Sequence, residues 1–67
     1  MTHDYLTGRH IPISYDGRVL TGEIRRVLGT SGAGQHLEVW LDAHGEMIYP
    51  VIPADDPRLS EEYTYDR

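Results

Sequence analysis

Four histidines and several neighbouring carboxylates are the residues of this 67-residue chain with the most obvious chemistry. His36 and His44 each stand two positions before a glutamate, which on a β-strand places both side chains on the same side. A zinc site needs several converging ligands, and the chain has no cysteine and no histidine motif with metal-binding spacing. We therefore expect surface histidines, with no bound metal and no other cofactor.

The remaining reactive side chains do not predict an enzyme. Ser31 lies in a glycine-rich run, residues 29–34, which lacks the lysine of a phosphate-binding loop and any nucleophile motif. The acidic pairs Asp55-Asp56 and Glu61-Glu62 are adjacent in sequence, so the two carboxylates of each pair point apart instead of converging. A chain of this length buries only about 60% of its unfolded surface, which leaves little material for an enclosed substrate cavity. We expect a non-catalytic protein.

Charge is distributed unevenly along the chain, whose formal net charge is −5. Residues 1–35 carry four arginines against three acids, whereas residues 36–67 carry two arginines against eight acids. Nucleic-acid binding depends on neutralising phosphates, so this balance favours another protein with a basic surface as the partner. No apolar run approaches the roughly 20 residues that span a bilayer, and the N-terminus lacks a secretory pattern. We expect a cytoplasmic protein with no membrane partner.

An aromatic and acidic segment in the second half is the main candidate binding site. Trp40 alternates with aliphatic residues and so shares the polar side of its strand with Glu38 and Asp42. A tryptophan among charges is typical of an interface hot spot. We predict a protein-binding face made of these three residues together with Glu46 and Tyr49. The alternative is that Trp40 folds over one end of the domain as a second small core.

A basic group in the first half is the alternative, nucleic-acid-binding candidate. It consists of the cations Arg18, Arg25 and Arg26, with the aromatic ring of Tyr15 or of Trp40 as a stacking surface. The competing interpretation is that Arg25 and Arg26 form ion pairs with strand neighbours such as Glu23 or Glu38.

The elements that must position these residues are four short strands. They are predicted at residues 10–15, 18–28 and 36–42, where apolar residues recur at every second position, and at residues 47–52, which are apolar on both sides. Asp16-Gly17 predicts a tight hairpin turn, and residues 29–34 and 43–46 predict the next two connections. Pro12 and Pro50 cannot donate to a ladder, so their strands are expected at an edge or a break. One 3₁₀ turn is predicted near residues 56–59.

The pattern predicts an all-β fold, a small and strongly bent antiparallel barrel of four or five strands. Gly22 marks a bend or a close backbone approach, and the alternation slips near Arg25-Arg26, which indicates a bulge. Residues 1–9 are expected to form a frayed arm or one short turn, 10–59 the barrel, and 60–67 a flexible acidic tail. The predicted core consists of Ile11, Ile13, Leu20, Ile24, Leu37, Val39, Leu41, Ile48 and Ile52.

Two stretches resemble small barrels of the SH3 and Sm-like type. Residues 11–24 (IPISYDGRVLTGEI) resemble the first Sm motif: a hydrophobic strand, an acidic-glycine turn, and a strand with an apolar residue two before a bending glycine. Residues 46–53 (EMIYPVIP) resemble the closing strands of bacterial Sm-like proteins of the Hfq type, although Pro50 and Val51 follow Tyr49 in place of a basic and histidine cluster. Sm-like bacterial inhibitors of the Rho termination factor, which are small and acidic, are similar at Asp16-Gly17 and at Gly45-Glu46.

The inhibitor resemblance implies an acidic face presented to a nucleic-acid-binding protein. We therefore expect a regulatory or accessory protein that acts by protein–protein interaction. Two alternatives stay open: an Sm-like RNA-binding protein, as a homo-oligomer, and a structural subunit of a phage or plasmid assembly.

Overall fold

Five antiparallel strands and two single 3₁₀ turns make up the computed structural model, which describes residues 4–63. The strands are β1 (His10–Tyr15), β2 (Arg18–Ser31), β3 (Gly34–Leu41), β4 (Glu46–Ile48) and β5 (Val51–Ile52); the 3₁₀ turns are Asp4–Leu6 and Pro57–Leu59. The sheet order is β1-β2-β3-β4, and β5 also pairs with β3. The all-β prediction is confirmed. The sheet is not closed by any strand pairing within the described part of the chain, and neither helical turn there is long enough to cross a bilayer.

The β1–β2 hairpin closes through the predicted two-residue turn. Asp16 and Gly17 both have positive φ, 54° and 76°, which is the geometry of the tight turn that matches the twist of paired strands. Ile11 lies opposite Gly22, and Ile13 lies opposite Leu20, so the aliphatic residues of both strands share one face.

The second hairpin corrects the prediction for residues 29–34. β2 continues to Ser31 and pairs with β3, so the glycine-rich run is mostly strand, with a short connection at Gly32-Ala33. Strand pairing is favoured over a loop here, because Thr30 lies opposite the buried Gln35 and donates a 3.0 Å hydrogen bond to its side-chain oxygen. The predicted slip is confirmed, since the register shifts twice, between Ile24 and Arg26 and between Val27 and Gly29.

The predicted fourth strand is interrupted at Tyr49-Pro50, where the proline indicated an edge or a break. β4 and β5 are the two pieces, and both keep the same register against β3. The carbonyl of Pro50 still accepts a 3.0 Å hydrogen bond from the backbone of Leu37. β3 is therefore covered along its whole length on this side.

The core lies on one face of the sheet and agrees closely with the predicted set. Seven of its residues are buried as predicted, namely Ile11, Ile13, Ile24, Leu37, Val39, Leu41 and Ile52. Leu20 and Ile48 are only partly buried and pack at its margin. Leu6 and Leu59, which were not predicted, complete it with 1% and 5% exposure.

The two terminal segments meet and hold these leucines in place. Arg9 Nη1 donates hydrogen bonds to the carbonyls of Arg58 and Ser60 at 3.0 and 2.6 Å, and the hydroxyl of Tyr5 donates to Leu59 at 3.1 Å. The Arg9 guanidinium also lies over the rings of Tyr5 and Tyr63, at 5.4 and 5.8 Å. We call this arrangement of Tyr5, Arg9 and Tyr63 with the 58–60 backbone the clasp.

The clasp corrects the expectation of a frayed N-terminal arm. The short-turn alternative is right for Asp4–Leu6, and Leu6 belongs to the core because the clasp orders this segment. Where the flexible tail is expected, the chain forms a turn in which the Tyr63 amide donates to the carbonyl of Ser60 at 3.1 Å, and the flexibility of the tail stays a prediction. Residues 64–67 lie outside the described part of the chain.

The predicted 3₁₀ turn at Pro57–Leu59 is confirmed and ties the C-terminal segment to β1. Asp56 caps it by accepting from the Arg58 amide at 2.8 Å. The Arg58 guanidinium binds both carboxylate oxygens of Asp56 and donates to the carbonyl of Pro12 at 2.7 Å. This hydrogen bonding lowers the pKa of Asp56 below its ordinary value. Pro12 thus lies on an edge strand, as predicted, and Arg58 covers that edge.

Candidate protein-binding face

The face of the sheet opposite the core is defined by the alternation along β3. Leu37, Val39 and Leu41 point into the core with no exposed surface. Glu38 and Trp40 therefore point the other way, and Asp42, in the turn after β3, lies beside Trp40 because the indole donates to its carboxylate. We call this side the outer face. Trp40 is at its centre, between Glu23 of β2 and Met47 of β4.

Trp40 is half-buried and is held between two oppositely charged side chains. The Arg25 guanidinium lies 5.7 Å from the centre of its ring, which is within the range of a cation–π contact. Its indole Nε1 donates to Asp42 Oδ1 at 3.4 Å, a long hydrogen bond. Trp40 is therefore part of the outer face, with one contact to a cation and one to a carboxylate.

A groove of about 450 Å³ runs past Trp40 on this face. It is lined by His10, Thr21, Glu23, Arg25, Trp40, Asp42 and Ala43. Sequence reasoning placed none of four lining residues in a binding site, because they come from three different segments: His10, Thr21, Glu23 and Ala43. Only the register, which sets His10 opposite Glu23 and Glu23 opposite Trp40, brings them together.

The charges of the outer face are paired, with one exception. Arg25 Nε donates to Glu23 at 3.2 Å, and Arg26 Nε donates to Glu38 at 3.1 Å. Hydrogen bonding to Glu38 raises the pKa of Arg26 above its ordinary value. Among residues 4–63, Asp42 has no cationic partner and accepts only the long bond from Trp40. The groove therefore ends at an exposed carboxylate that no cation of residues 4–63 neutralises.

Four of the five residues predicted for the protein-binding face share it. Tyr49, which is 61% exposed, falls opposite Glu38 when the constant register of β4 and β5 is followed across the break. Trp40 and Asp42 complete this group. Glu46 does not belong to it, because it lies opposite Leu41, whose side chain faces the core.

Glu46 forms a separate contact at the edge of the core face. Both of its carboxylate oxygens accept hydrogen bonds from the Tyr15 hydroxyl, at 3.0 and 2.9 Å. The bond to Glu46 raises the pKa of Tyr15. The ring of Tyr15 also lies 5.4 Å from that of His44, at a tilt of 59°. This contact joins the first hairpin to the β3–β4 turn.

The residues proposed for nucleic-acid binding fall into two separate groups: Tyr15 lies opposite Arg18 at the first turn, and Arg25 and Arg26 lie farther along β2. Arg18 lies beside the first turn, seven positions from Arg25, which is about 23 Å along an extended strand. Arg25 and Arg26 pair with Glu23 and Glu38, as the competing interpretation held. Tyr15 contacts Glu46 at the edge of the core face, on the opposite side of the sheet from Arg25 and Arg26.

No group of three or more metal-ligating side chains converges within the described residues. A serine–histidine contact does occur, because the second hairpin sets Ser31 Oγ 2.8 Å from His36 Nε2. Ser31 Oγ also accepts from the Ala33 amide at 3.2 Å, so its evident role is to close the turn.

No family model, no curated protein and no solved structure matches this chain. The resemblance to SH3 and Sm-like barrels therefore stays a prediction. Any functional conclusion has to come from the geometry of the outer face.

Proposed function

We propose that this protein is a non-catalytic binding module whose outer face docks a basic, extended segment of a partner protein. The observation that carries the proposal is the groove, in which Trp40 lies beside Asp42, a carboxylate with no cationic partner among residues 4–63. A bound cation would supply that partner, and a nearby aromatic ring would add to its affinity.

The apolar part of the outer face supports a protein partner. Trp40, Met47 and Tyr49 lie on adjacent strand positions of β3 and of the segment that follows it. Tryptophan, tyrosine and methionine are enriched in protein interfaces, and aromatic residues dominate their binding energy. Such a surface is best matched by a partner that offers both apolar and basic side chains.

The electrostatics favour a basic partner over nucleic acid. The arginines of the outer face are already bonded to Glu23 and Glu38, and the chain as a whole carries a net charge of −5. A phosphate at the groove would meet Asp42, whereas a basic peptide would be attracted to it. Complementary charge also speeds association.

We also infer that the sheet curls toward a barrel of the SH3 or Sm-like type. Support comes from the two register shifts in β2, since bulges increase the local bend and twist. Further support comes from Arg58, which reaches the carbonyl of Pro12 on the unpaired edge of β1. A crystal structure would test this, because an open, flat sheet would contradict it.

Capture from a lysate of the source organism, with and without nuclease, tests the proposed function. Asp42→Asn and Tyr49→Ala should each lower recovery of the partner, and nuclease should not. Asp55→Asn is the matched control, because it removes one exposed carboxylate that does not line the groove. Equal recovery by all variants would reject the outer face as the site, and recovery abolished by nuclease would favour the RNA-binding alternative.

A further inference from the structure

We infer that the groove recognises the guanidinium of an arginine in the partner segment, and that Arg25 occupies this position in the free protein. The inference rests on the proposed function and specifies its ligand. It follows from how the structure already holds one guanidinium at this place.

Arg25 shows how the groove holds a guanidinium. Its guanidinium lies over the Trp40 ring at 5.7 Å, and its Nε donates to Glu23 at 3.2 Å. Both neighbours line the groove. The Arg25 side chain nevertheless remains 46% exposed. The groove thus combines an aromatic surface with an acceptor, which suits a planar cation, and the present occupant is held only at the surface.

An arginine from a partner can contact both the Trp40 ring and the Asp42 carboxylate, whereas Arg25 contacts the ring and Glu23. In the free protein the guanidinium of Arg25 binds Glu23, while Asp42 accepts only from the Trp40 indole. A guanidinium that enters from outside can stack on Trp40 and donate to the Asp42 carboxylate through two parallel N–H groups. Because the face of the ring that Arg25 covers holds one guanidinium, the incoming group displaces Arg25.

Arginine should be preferred to lysine. A guanidinium is planar, stacks on aromatic rings and pairs with a carboxylate through two bonds, whereas an ammonium is a compact and strongly hydrated charge. A site that only attracts positive charge would not make this distinction. The preference therefore separates a shaped site from general electrostatic attraction.

Trp40 provides a direct readout, because it is the only tryptophan in the chain. Its fluorescence is measured while the 67-residue protein is titrated with a peptide of arginines spaced by glycine and serine. Two matched peptides replace arginine with lysine or with citrulline, its uncharged isostere. We expect a saturable change with the arginine peptide, binding at least about threefold weaker with lysine, and none with citrulline.

Three variants test the individual contacts. Asp42→Asn should weaken the arginine peptide about tenfold, because a charge-assisted bond is lost. Arg25→Gln should strengthen binding about two- to fivefold, because no internal cation has to leave the ring. Arg26→Gln is the matched control: it makes the same change in net charge and frees Glu38, which is not in the groove.

The outcomes distinguish this inference from the proposed function. Equal affinity for the arginine and lysine peptides, or equal gains from Arg25→Gln and Arg26→Gln, would overturn the guanidinium site but leave an acidic docking face in place. If no basic peptide bound and Asp42→Asn recovered as much partner as the wild type does, both the guanidinium site and the acidic docking face would be rejected.

Discussion

Replacing Gly22 with alanine tests the packing that lets the sheet bend around its core. A methyl carbon at this position would lie 2.5 Å from Cγ1 of Val39. Two further contacts would be tight, at 3.1 Å to Ile13 and 3.4 Å to Leu41. Carbon atoms prefer separations of about 3.5–4.0 Å. Val39 would have to move by about 1 Å, yet it is fully buried and paired with both β2 and β4.

The expected magnitude follows from two opposing effects. Overpacking a core costs about 1–3 kcal/mol, whereas replacing glycine with alanine restricts the unfolded chain and returns about 0.4–1 kcal/mol. We therefore expect the free energy of unfolding to fall by about 1–2 kcal/mol. For a domain of this size that lowers Tm by about 4–16 °C, from a total stability of only about 3–10 kcal/mol.

Thermal and urea unfolding measure this change, and Gly29→Ala is the matched control. Gly29 lies in the same strand, without positive φ, and a methyl group there would meet nothing within 4 Å. The Gly29→Ala variant should therefore be as stable as the wild type or slightly more stable. In the double variant Gly22→Ala/Val39→Ala the two losses should be less than additive, because the smaller side chain removes the clash. Equal stability of Gly22→Ala and Gly29→Ala would refute the packing argument.

Three further predictions concern the second hairpin and the terminal segments. Gly34→Ala should lower the free energy of unfolding by about 2 kcal/mol or more, because φ is +136° and the new methyl would collide with the β5 backbone. Gly32→Ala is the control: its new methyl would meet nothing within 4 Å, so the urea midpoint should be unchanged. Arg9→Ala should lower the free energy of unfolding by about 1–2 kcal/mol, because two charge-assisted hydrogen bonds of the clasp are lost. Arg9→Lys should recover only part of this free energy, and equal melting temperatures for the two variants would contradict the geometry of the clasp. Because hydrogen bonding from Arg58 lowers the folded-state pKa of Asp56, this pair stabilises the fold above the unfolded-state pKa, and the stabilisation is lost as the pH falls through the lowered value. The stability difference between the wild type and Asp56→Asn should therefore shrink below about pH 4, and a constant difference would argue against the pair.

Much of the core face could be predicted because its signal is local. In β1 and β3, aliphatic residues recur at every second position, and Asp16-Gly17 fixes one turn between strands. A period of two assigns each side chain to a face without any knowledge of the partner strand. The ion pairs of Arg25 and Arg26 were one of two interpretations for a related reason: Glu38 lies opposite Arg26 on the neighbouring strand, and Glu23 stands two positions before Arg25 on the same side of β2.

The clasp could not be predicted because its contacts span almost the whole chain. Tyr5 and Leu59 are 54 residues apart, and Arg9 and Ser60 are 51 apart. Leu6 and Leu59 are single apolar residues in polar segments, so neither belongs to a periodic pattern. Only the assembled sheet has the uncovered core surface that makes their burial favourable.

The candidate site was predicted in part, and its errors have a common cause. Glu46 was assigned to the outer face because it follows the acidic and aromatic stretch of β3 in sequence. A four-residue turn separates the strands, however, and the pairing of Leu41 with Glu46 places it with the core face. The number of residues that a turn contains decides the face of everything after it. The same limitation hid the groove, which depends on the register of three strands.

The position of Trp40 explains why a binding site on this thin domain would be built on β3. This strand pairs with β2 on one side and with β4 and β5 on the other, whereas β1 is an edge. Val39 and Leu41, which flank Trp40, have no exposed surface, so the backbone that carries the indole is fixed from both sides. Association is opposed by the entropy of ordering side chains at an interface. A half-buried tryptophan on the central strand has already lost most of that freedom on folding. The stability of the core and the affinity that we propose for the outer face therefore depend on one strand, although their side chains point in opposite directions.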